Sequence, residues 1–574
     1  MRLTWIAILG CLLSAGGAQA ADAAASSDAA FQSVVSGFLA DFYRNNPTYA
    51  GDLGLHEFDG QIEDASREAV QTEVAQFKRY REQFAAIDGS KLNETNRLDR
   101  EMLLHTIDSR LLSLEEVRGW ARDPDSYAGA LTSSAFSLIK REYAPAPDRL
   151  RSLVQREKAM PEILAQARRN LDNPPRIYTE IALEQIDGNI GFFRTVVVEA
   201  FKDVNDPALI AEFGKTNNAV IAALADYKTW LEKDLLPRSN GSYAYGADLY
   251  RRKLAASEMI DTPLDELLRL AETDLHRNQE QFAAAARKID PKHTPAEVLG
   301  SLQKEHPAPE ALLATTQSEL DAIARFMTEK HIVTIPDSAP ARVKETPPFM
   351  RATTSASMDT PGPFEKTSMH GYYNMTLPDP AWSAAEKEEF MRQWFPALIT
   401  NVSVHEVWPG HYLQFLYSKQ YPSDIRRVFS SNANVEGWAH YCEQMVLDEG
   451  FHDGDPRYRL AQLQDALLRD ARFIVGIRMH TQGMTIAQAE DFFEHEAFQP
   501  RPVAVSETKR GTSDALYGYY TMGKLALLKL REDFKRKQGA SYSLQSFHDE
   551  FLRLGPLPMP LMREAMLGER GSLF

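Results

Sequence analysis

Apolar residues recur at i, i+3 and i+4 through most of this chain, a period that admits helices and little else. Segments 26–45, 63–87, 94–115, 147–172, 178–203, 206–233 and 263–289 carry the pattern, broken by Pro, Gly or Asn. "TEIALEQIDGNIGFFRTVVVEAF" is entered through Pro174 and Pro175, as helix starts favour proline. The texture changes over 331–377, where Pro, Thr and Ser accumulate and short runs alternate like strands. Helical periodicity resumes at 383–419, 434–448, 457–482, 485–496 and 511–537. The expected fold is therefore mainly α, with a small sheet between two helical regions. The natural division is a leader over 1–20, an N-terminal helical region over 21–330 and a site-bearing region over 331–574, forming one continuous two-lobed unit.

The leader reads as a secretion signal. Arg2 precedes an apolar run from Leu3 to Leu13, and small residues follow to "AQA" at 18–20. Cleavage after Ala20 makes the protein an exported one, with the periplasm as its expected home. The alternative is a lipoprotein acylated at Cys11, although the apolar stretch before that cysteine is short. No later stretch approaches the ~18 apolar residues that a spanning helix needs. Beyond the leader only Cys442 remains, so no internal disulfide is expected and the core must hold the fold. A formal charge of -16 argues against nucleic acid and anionic membrane surfaces as partners.

The chemistry is concentrated in "HEVWPGH", residues 405–411. It resembles the zinc-peptidase pattern H-E-x-x-H, in which two histidines share a helix face and the glutamate acts as base. Here two residues are added. In a regular helix, residues six apart differ by about 120° around the axis and about 9 Å along it. Two zinc-bound nitrogens must lie only ~3–3.5 Å apart, so an unbroken helix cannot join His405 to His411. Pro409 removes an N–H, and its ring clashes with the carbonyl of His405. Gly410 tolerates the positive φ expected of a looped-out turn. A bulge of two residues returns His411 to the phase of an i+4 partner. Three His-Glu dipeptides occur, at His56, His405 and His495, and one of them has a second histidine close behind. A chance match is expected on the order of a few hundredths of a time per chain.

A catalytic zinc takes three protein ligands and keeps a position for water. In "NANVEGWAHYCEQMVLDEG", Glu436, His440 and Glu443 share one helix face. Glu436 stands 25 residues after His411, enough for one helix to end and another to return. It is the expected third ligand, with His440 and Glu443 orienting the ligands from behind.

"HEVWPGHYLQ" followed by "VEGWAHYCE" resembles the bacterial family known as domain of unknown function 885, grouped with the gluzincin metallopeptidases. "NPTYAGDLGLHEFDGQIED" (46–64), "PPRIYTEIALEQIDG" (174–188), "YAYGADLYRRKL" (243–254) and "HGYYNMT" (370–376) resemble other blocks of that family. The Glu436 spacing is similar to the thimet-oligopeptidase type. The resemblance implies a large helical metallopeptidase fold, a small sheet beside the zinc helix, a deep substrate channel and one zinc per chain. Over 507–527, "ETKRGTSDALYGYYTMGKLAL" keeps Glu507, Arg510 and a tyrosine three before Gly523 but lacks the family's Pro-Gly-Gln piece. By the same resemblance Tyr520, then Tyr519 and Tyr517, is the expected oxyanion donor, and Arg510 an anchor for a substrate carboxylate. An extended strand within "TSMHGYYNMTL" is expected to bind the peptide backbone by β-addition, with Gly371 permitting close approach and His370 within reach of substrate.

The reading is a zinc metallopeptidase of short peptides, with His405, His411 and Glu436 on the metal and Glu406 as general base. Two alternatives share these residues. One is a peptide-binding protein that kept the fold and lost turnover, against which Glu406 is present. The other is a zinc hydrolase of non-peptide amides or esters.

Overall fold

The computed structural model describes residues 10–336, 341–346, 351, 355–367 and 370–574, with side chains from Ser26 onward. Residues 1–9 of the expected leader lie outside the described residues; from Gly10 the backbone is helical, and the Cys11 side chain is outside the description. No helix among the described residues is long and apolar enough to cross a membrane.

The helices of the first region are α1 (Gly10–Asn45), α2 (Arg67–Ala86), α3 (Glu94–Leu112), α4 (Asp125–Ser137), α5 (Ala146–Asn170), α6 (Arg176–Gly191), α7 (Pro207–Trp230), α8 (Gly246–Glu258), α9 (Leu264–Ile289) and α10 (Leu312–Glu329). Seven of them answer to the expected periods, although α1 begins well before residue 26 and α6 ends well before residue 203, and α4, α8 and α10 lie outside those periods. A three-stranded sheet follows, built of β1 (Arg342–Glu345), β2 (Ala356–Asp359) and β3 (Tyr372–Met375). Its order is β1-β3-β2, with β1 parallel and β2 antiparallel to β3. The second helical region supplies α11 (Pro396–Glu406), α12 (His411–Leu416), α13 (Asn432–Asp448), α14 (Pro456–Thr481), α15 (Arg501–Ser513) and α16 (Tyr519–Gln538). The fold is mainly α with a small sheet.

Two expected helices are interrupted. The 383–419 stretch, already broken at Phe395, is cut between Glu406 and His411, and 511–537 is cut between Ser513 and Tyr519. The second cut has a packing cause. A Cβ on Gly518 would come 2.6 Å from the Phe473 ring, and one on Gly511 would meet the Tyr517 hydroxyl at 2.3 Å. The turn lies so close to α14 that a side chain is excluded at Gly518, and its Tyr517 packs so close to α15 that one is excluded at Gly511.

The site-bearing helices lie where two hydrophobic cores meet. Val404 on α11 and Trp438 on α13 belong to a core that also takes Phe31, Phe84 and Leu103 from the first helices. Ala397 and Ala433, on the same two helices, belong to a second core with Leu267 and Phe282 of α9 and Phe473 of α14. Trp438 is fully buried, and burial of a large apolar side chain contributes on the order of 2–3 kcal/mol. The start of α13 is fixed as well. Ser431 accepts the Asn434 N–H, and the buried Glu258 of α8 accepts the N–H groups of Asn432 and Ala433.

Candidate metal centre

Past Glu406 the chain leaves α11 through a turn wider than a helical one. The Trp408 N–H donates to the Ser403 carbonyl at 3.2 Å, Gly410 to Val404 at 3.0 Å, and Leu413 to Val407 at 3.3 Å. The last two bonds reach six residues back, two more than an α-turn, which absorbs the surplus of the motif. The Trp408–Pro409 peptide is cis, and Trp438 Nε1 donates to the Pro409 carbonyl at 2.8 Å, tying the turn to α13. Gly410 has φ −70°, so the expected positive φ is not its role. A Cβ there would lie 1.8 Å from the carbonyl oxygen of His405, because the turn folds back over the end of α11. Space, and not backbone sign, demands the glycine.

His411 opens α12 and faces His405, their rings edge to face with centroids 4.7 Å apart. Glu436, one turn into α13, brings Oε2 to 3.5 Å from His405 Nε2 and 3.3 Å from His411 Nε2. One ligand atom from each residue lies within 4.8 Å of the others, and no other such group occurs among the described residues. Tetrahedral zinc, with bonds of about 2.0–2.1 Å, sets its ligand atoms about 3.3 Å apart. Glu436 Oε2 is buried yet receives no aligned hydrogen bond. Two imidazoles and a carboxylate therefore crowd one point without satisfying each other, and a cation of zinc's size and ligand preference fits between them. The three side chains keep 10%, 12% and 23% of their surface, so the cluster lies just beneath the surface although Oε2 itself is covered.

A buried carboxylate supports this group from behind. Glu443 Oε1 lies 2.6 Å from His405 Nδ1 and 3.0 Å from Arg469 Nη2, and Oε2 lies 3.1 Å from His440 Nδ1. Burial favours a neutral Glu443, but Arg469 and the neighbouring imidazoles hold it well below the usual carboxylate range. With a metal held here, a carboxylate on Nδ1 of His405 would keep its Nε2 lone pair directed at the cluster. Burial also opposes charge on His405, yet Glu436 and Glu443 together raise it to about 9. Burial likewise opposes charge on Glu436, and the His411 and His405 rings hold it ionised. His440 is fully buried and pulled down to about 3 by burial and by Lys524, so it stands neutral behind Glu443 and off the metal point.

Glu406 ends α11, half-buried, and its charge acts on the hydroxyl of the buried Tyr373 in β3. Tyr520, in the first turn of α16, stacks near His405 with centroids 6.4 Å apart. The guanidinium carbons of Arg472, Arg469 and Arg510 lie 5.1, 5.6 and 5.8 Å from its ring centre. Burial raises the Tyr520 hydroxyl above its usual range, so it is a neutral donor. Arg510 Nη2 lies 3.2 Å from the Tyr519 hydroxyl and 3.5 Å from that of Tyr520, and pairs with Asp514 at 3.1 Å. Tyr519 donates to Asp514 at 3.0 Å. Tyr517 is fully buried against Gly511 and belongs to the core.

The strand expected to receive a substrate backbone is overturned. β3 is the central strand, paired with β1 and β2 along its whole length, so neither edge is open. Gly371 permits close approach to the Tyr412 ring, which its Cβ would meet at 2.2 Å. His370 has its carbonyl on Arg141 Nη1 at 2.8 Å and its ring beside Tyr372. Residues 368–369 of the stretch lie outside the described residues.

Arg469 and Arg472 escaped the sequence reading. Both lie on α14, a helix buried nearly all round, where Asp465, Arg469 and Arg472 recur on one side among Leu, Ala and Ile. Charges at helical spacing inside an apolar helix were the available signal.

The family model described as "Bacterial protein of unknown function (DUF885)" matches residues 47–566. No curated protein matches the chain. Among solved structures, a candidate lipoprotein of unknown function from Shewanella oneidensis is 27% identical, with a TM-score of 0.79 over 94% of this chain and 99% of its own. A candidate lipoprotein from Colwellia psychrerythraea is 17% identical and shares the fold, with a TM-score of 0.78 over 96% of this chain and 98% of its own.

Proposed function

The chain belongs to that family of bacterial proteins of unknown function, and within it we propose that it is a gluzincin-type zinc metallopeptidase acting on short peptides. The observation that carries the reading is the convergence of His405 Nε2, His411 Nε2 and Glu436 Oε2 within 4.8 Å, with Glu406 adjacent in sequence to the first ligand. The lipoprotein designation of two structural relatives, with the Arg2 and Leu3–Leu13 leader, supports export to the periplasm.

One zinc ion held by these three side chains would supply Lewis acidity, bringing the pKa of water to about 7. Glu406 then takes the proton of the attacking water as the new C–O bond forms at the scissile carbonyl. It returns that proton to the amide nitrogen as the C–N bond breaks, and the products are a carboxylate and an amine. Tyr520 donates to the oxygen that gains charge in the tetrahedral state, an interaction worth about 3 kcal/mol for such a donor. Glu443 and Arg469 hold the His405 tautomer throughout.

The test is a mixed peptide library incubated with zinc-loaded and with chelated protein, products being read by mass spectrometry. New termini with zinc and none without it are expected. Peptides that bind the zinc-loaded protein and all emerge intact would overturn the reading in favour of a binding protein.

A further inference from the structure

A cavity of about 700 Å³ opens beside Tyr519, where the first helices, α8 and the chain before α13 meet. Its walls carry Phe42, Tyr49, Phe77, Tyr245, Phe429 and Tyr519. Four charged groups also line it, and each is already engaged. Arg110 is on Glu73 at 3.2 Å, and Lys253 donates to Ser109 and Ser113 at 2.6–2.9 Å. Glu258 caps α13, and Asp514 holds Arg510 and Tyr519. Beside small polar groups such as Ser430 and Asn432, the surface left to meet a ligand is aromatic. Phe42 and Phe429 stand 5.0 Å apart edge to face, and Tyr49 is 41% exposed although its hydroxyl is held by the Val428 carbonyl at 2.6 Å.

A wall of packed rings, with Tyr519 on the cavity side, separates the cavity from the metal centre. Tyr519 stacks on Tyr520 at 5.0 Å, and Tyr520 on the ligand His405 at 6.4 Å. Two ring contacts span about three residues of extended peptide at ~3.3–3.6 Å each. The geometry points to this cavity as a distal subsite that takes an aromatic or large aliphatic side chain of the peptide, two or three residues from the scissile bond. The inference rests on the peptidase reading and gives it a substrate class: peptides with a bulky apolar residue set back from the cut.

The experiment uses the full chain, zinc-loaded, as the Glu406→Gln variant, so that binding is read without turnover. Fluorescently labelled hexapeptides of Gly and Ala, with a single Phe moved through every position, are titrated by anisotropy. One position is expected to tighten binding about 10- to 100-fold, the range for burying one aromatic side chain. Phe429→Ala should erase that gain and leave the Gly/Ala peptide unchanged. Because Phe429 also packs on Phe38 and Phe42, a second variant, Ser430→Trp, fills the cavity from an exposed lining position and should erase it too. Equal binding at all Phe positions, or a gain that survives both variants, overturns the subsite alone. Binding of no peptide at all overturns the peptidase reading with it.

Discussion

The carbonyl oxygen of His405 lies where a Cβ on Gly410 would have to sit, 1.8 Å from that position. The contact is backbone, so no side-chain rotation relieves it, and Gly410→Ala must open the turn that carries His411 to the cluster. Overpacking of this kind costs about 1–3 kcal/mol or more. Zinc content after dialysis should fall at least ~10-fold while helical content is kept. Gly188→Ala, in α6 with nothing near its Cβ, is the control and should retain zinc with stability unchanged or raised. Retention of zinc by Gly410→Ala would show that the turn does not set the site.

Glu443→Gln removes the charge that engages His405 Nδ1 and Arg469 together. Outer partners of this kind typically contribute 10–100-fold in metal affinity or activity. Zinc affinity from competition with a chelator should drop by about that factor, and Glu443→Asp should recover part of it. Affinity equal to wild type in the Gln variant would make Glu443 a packing residue only.

Most helices were legible because their apolar periods are long, though α4, α8 and α10 were not, and the His405–His411–Glu436 cluster was legible because two histidines and a glutamate obey a spacing rule. The interruption of α11 was legible too, since Pro409 and Gly410 leave no regular path between His405 and His411. The role of Gly410 was not, because whether a glycine serves φ or space depends on what lies against it. The pairing partners of β3 were equally hidden. A run such as "HGYYNMT" shows that a strand exists but not whether it is central or edge, which is decided by residues 342–345 and 356–359 far along the chain. Arg469 was missed for a related reason: its value lies in touching Glu443, 26 positions away on another helix.

His56 ties the loop before β3 to the first helices. Its Nε2 lies 2.9 Å from Glu365, its Nδ1 3.2 Å from Asp59, and its ring stacks on Tyr143 at 3.8 Å. Glu57, Asp148, Arg149 and Lys366 line the cavity beside it. Burial lowers the His56 pKa, but Asp59 and Glu365 outweigh it and the net shift is upward. A raised histidine contributes stability that is full below its unfolded value, about 6.5, and lost as pH rises through the higher folded value. The Tm advantage of wild type over His56→Gln should therefore be largest below about pH 6.5 and shrink above it. An advantage that grows with pH contradicts the ion-paired tie.

On the proposed mechanism, the roles of Glu406 and Tyr520 are separable by substitution. Glu406→Gln keeps size and shape, and the three ligand side chains are untouched, so zinc content should match wild type. Turnover should fall at least ~10²-fold, the usual contribution of a general base. Peptide affinity should be largely kept, since the carboxylate acts on water. Tyr520→Phe removes one hydroxyl that sits beside Arg510 and leaves the ring stacked near His405. Its kcat should fall by about 10²-fold with KM little changed, because the donor meets charge that develops only in the transition state. Tyr519→Phe should cost less, as that hydroxyl already donates to Asp514. Single-turnover rates with one peptide decide the order. Full activity in Glu406→Gln would assign the base to another residue, and equal losses at the two tyrosines would place the oxyanion donor on the pair and not on Tyr520.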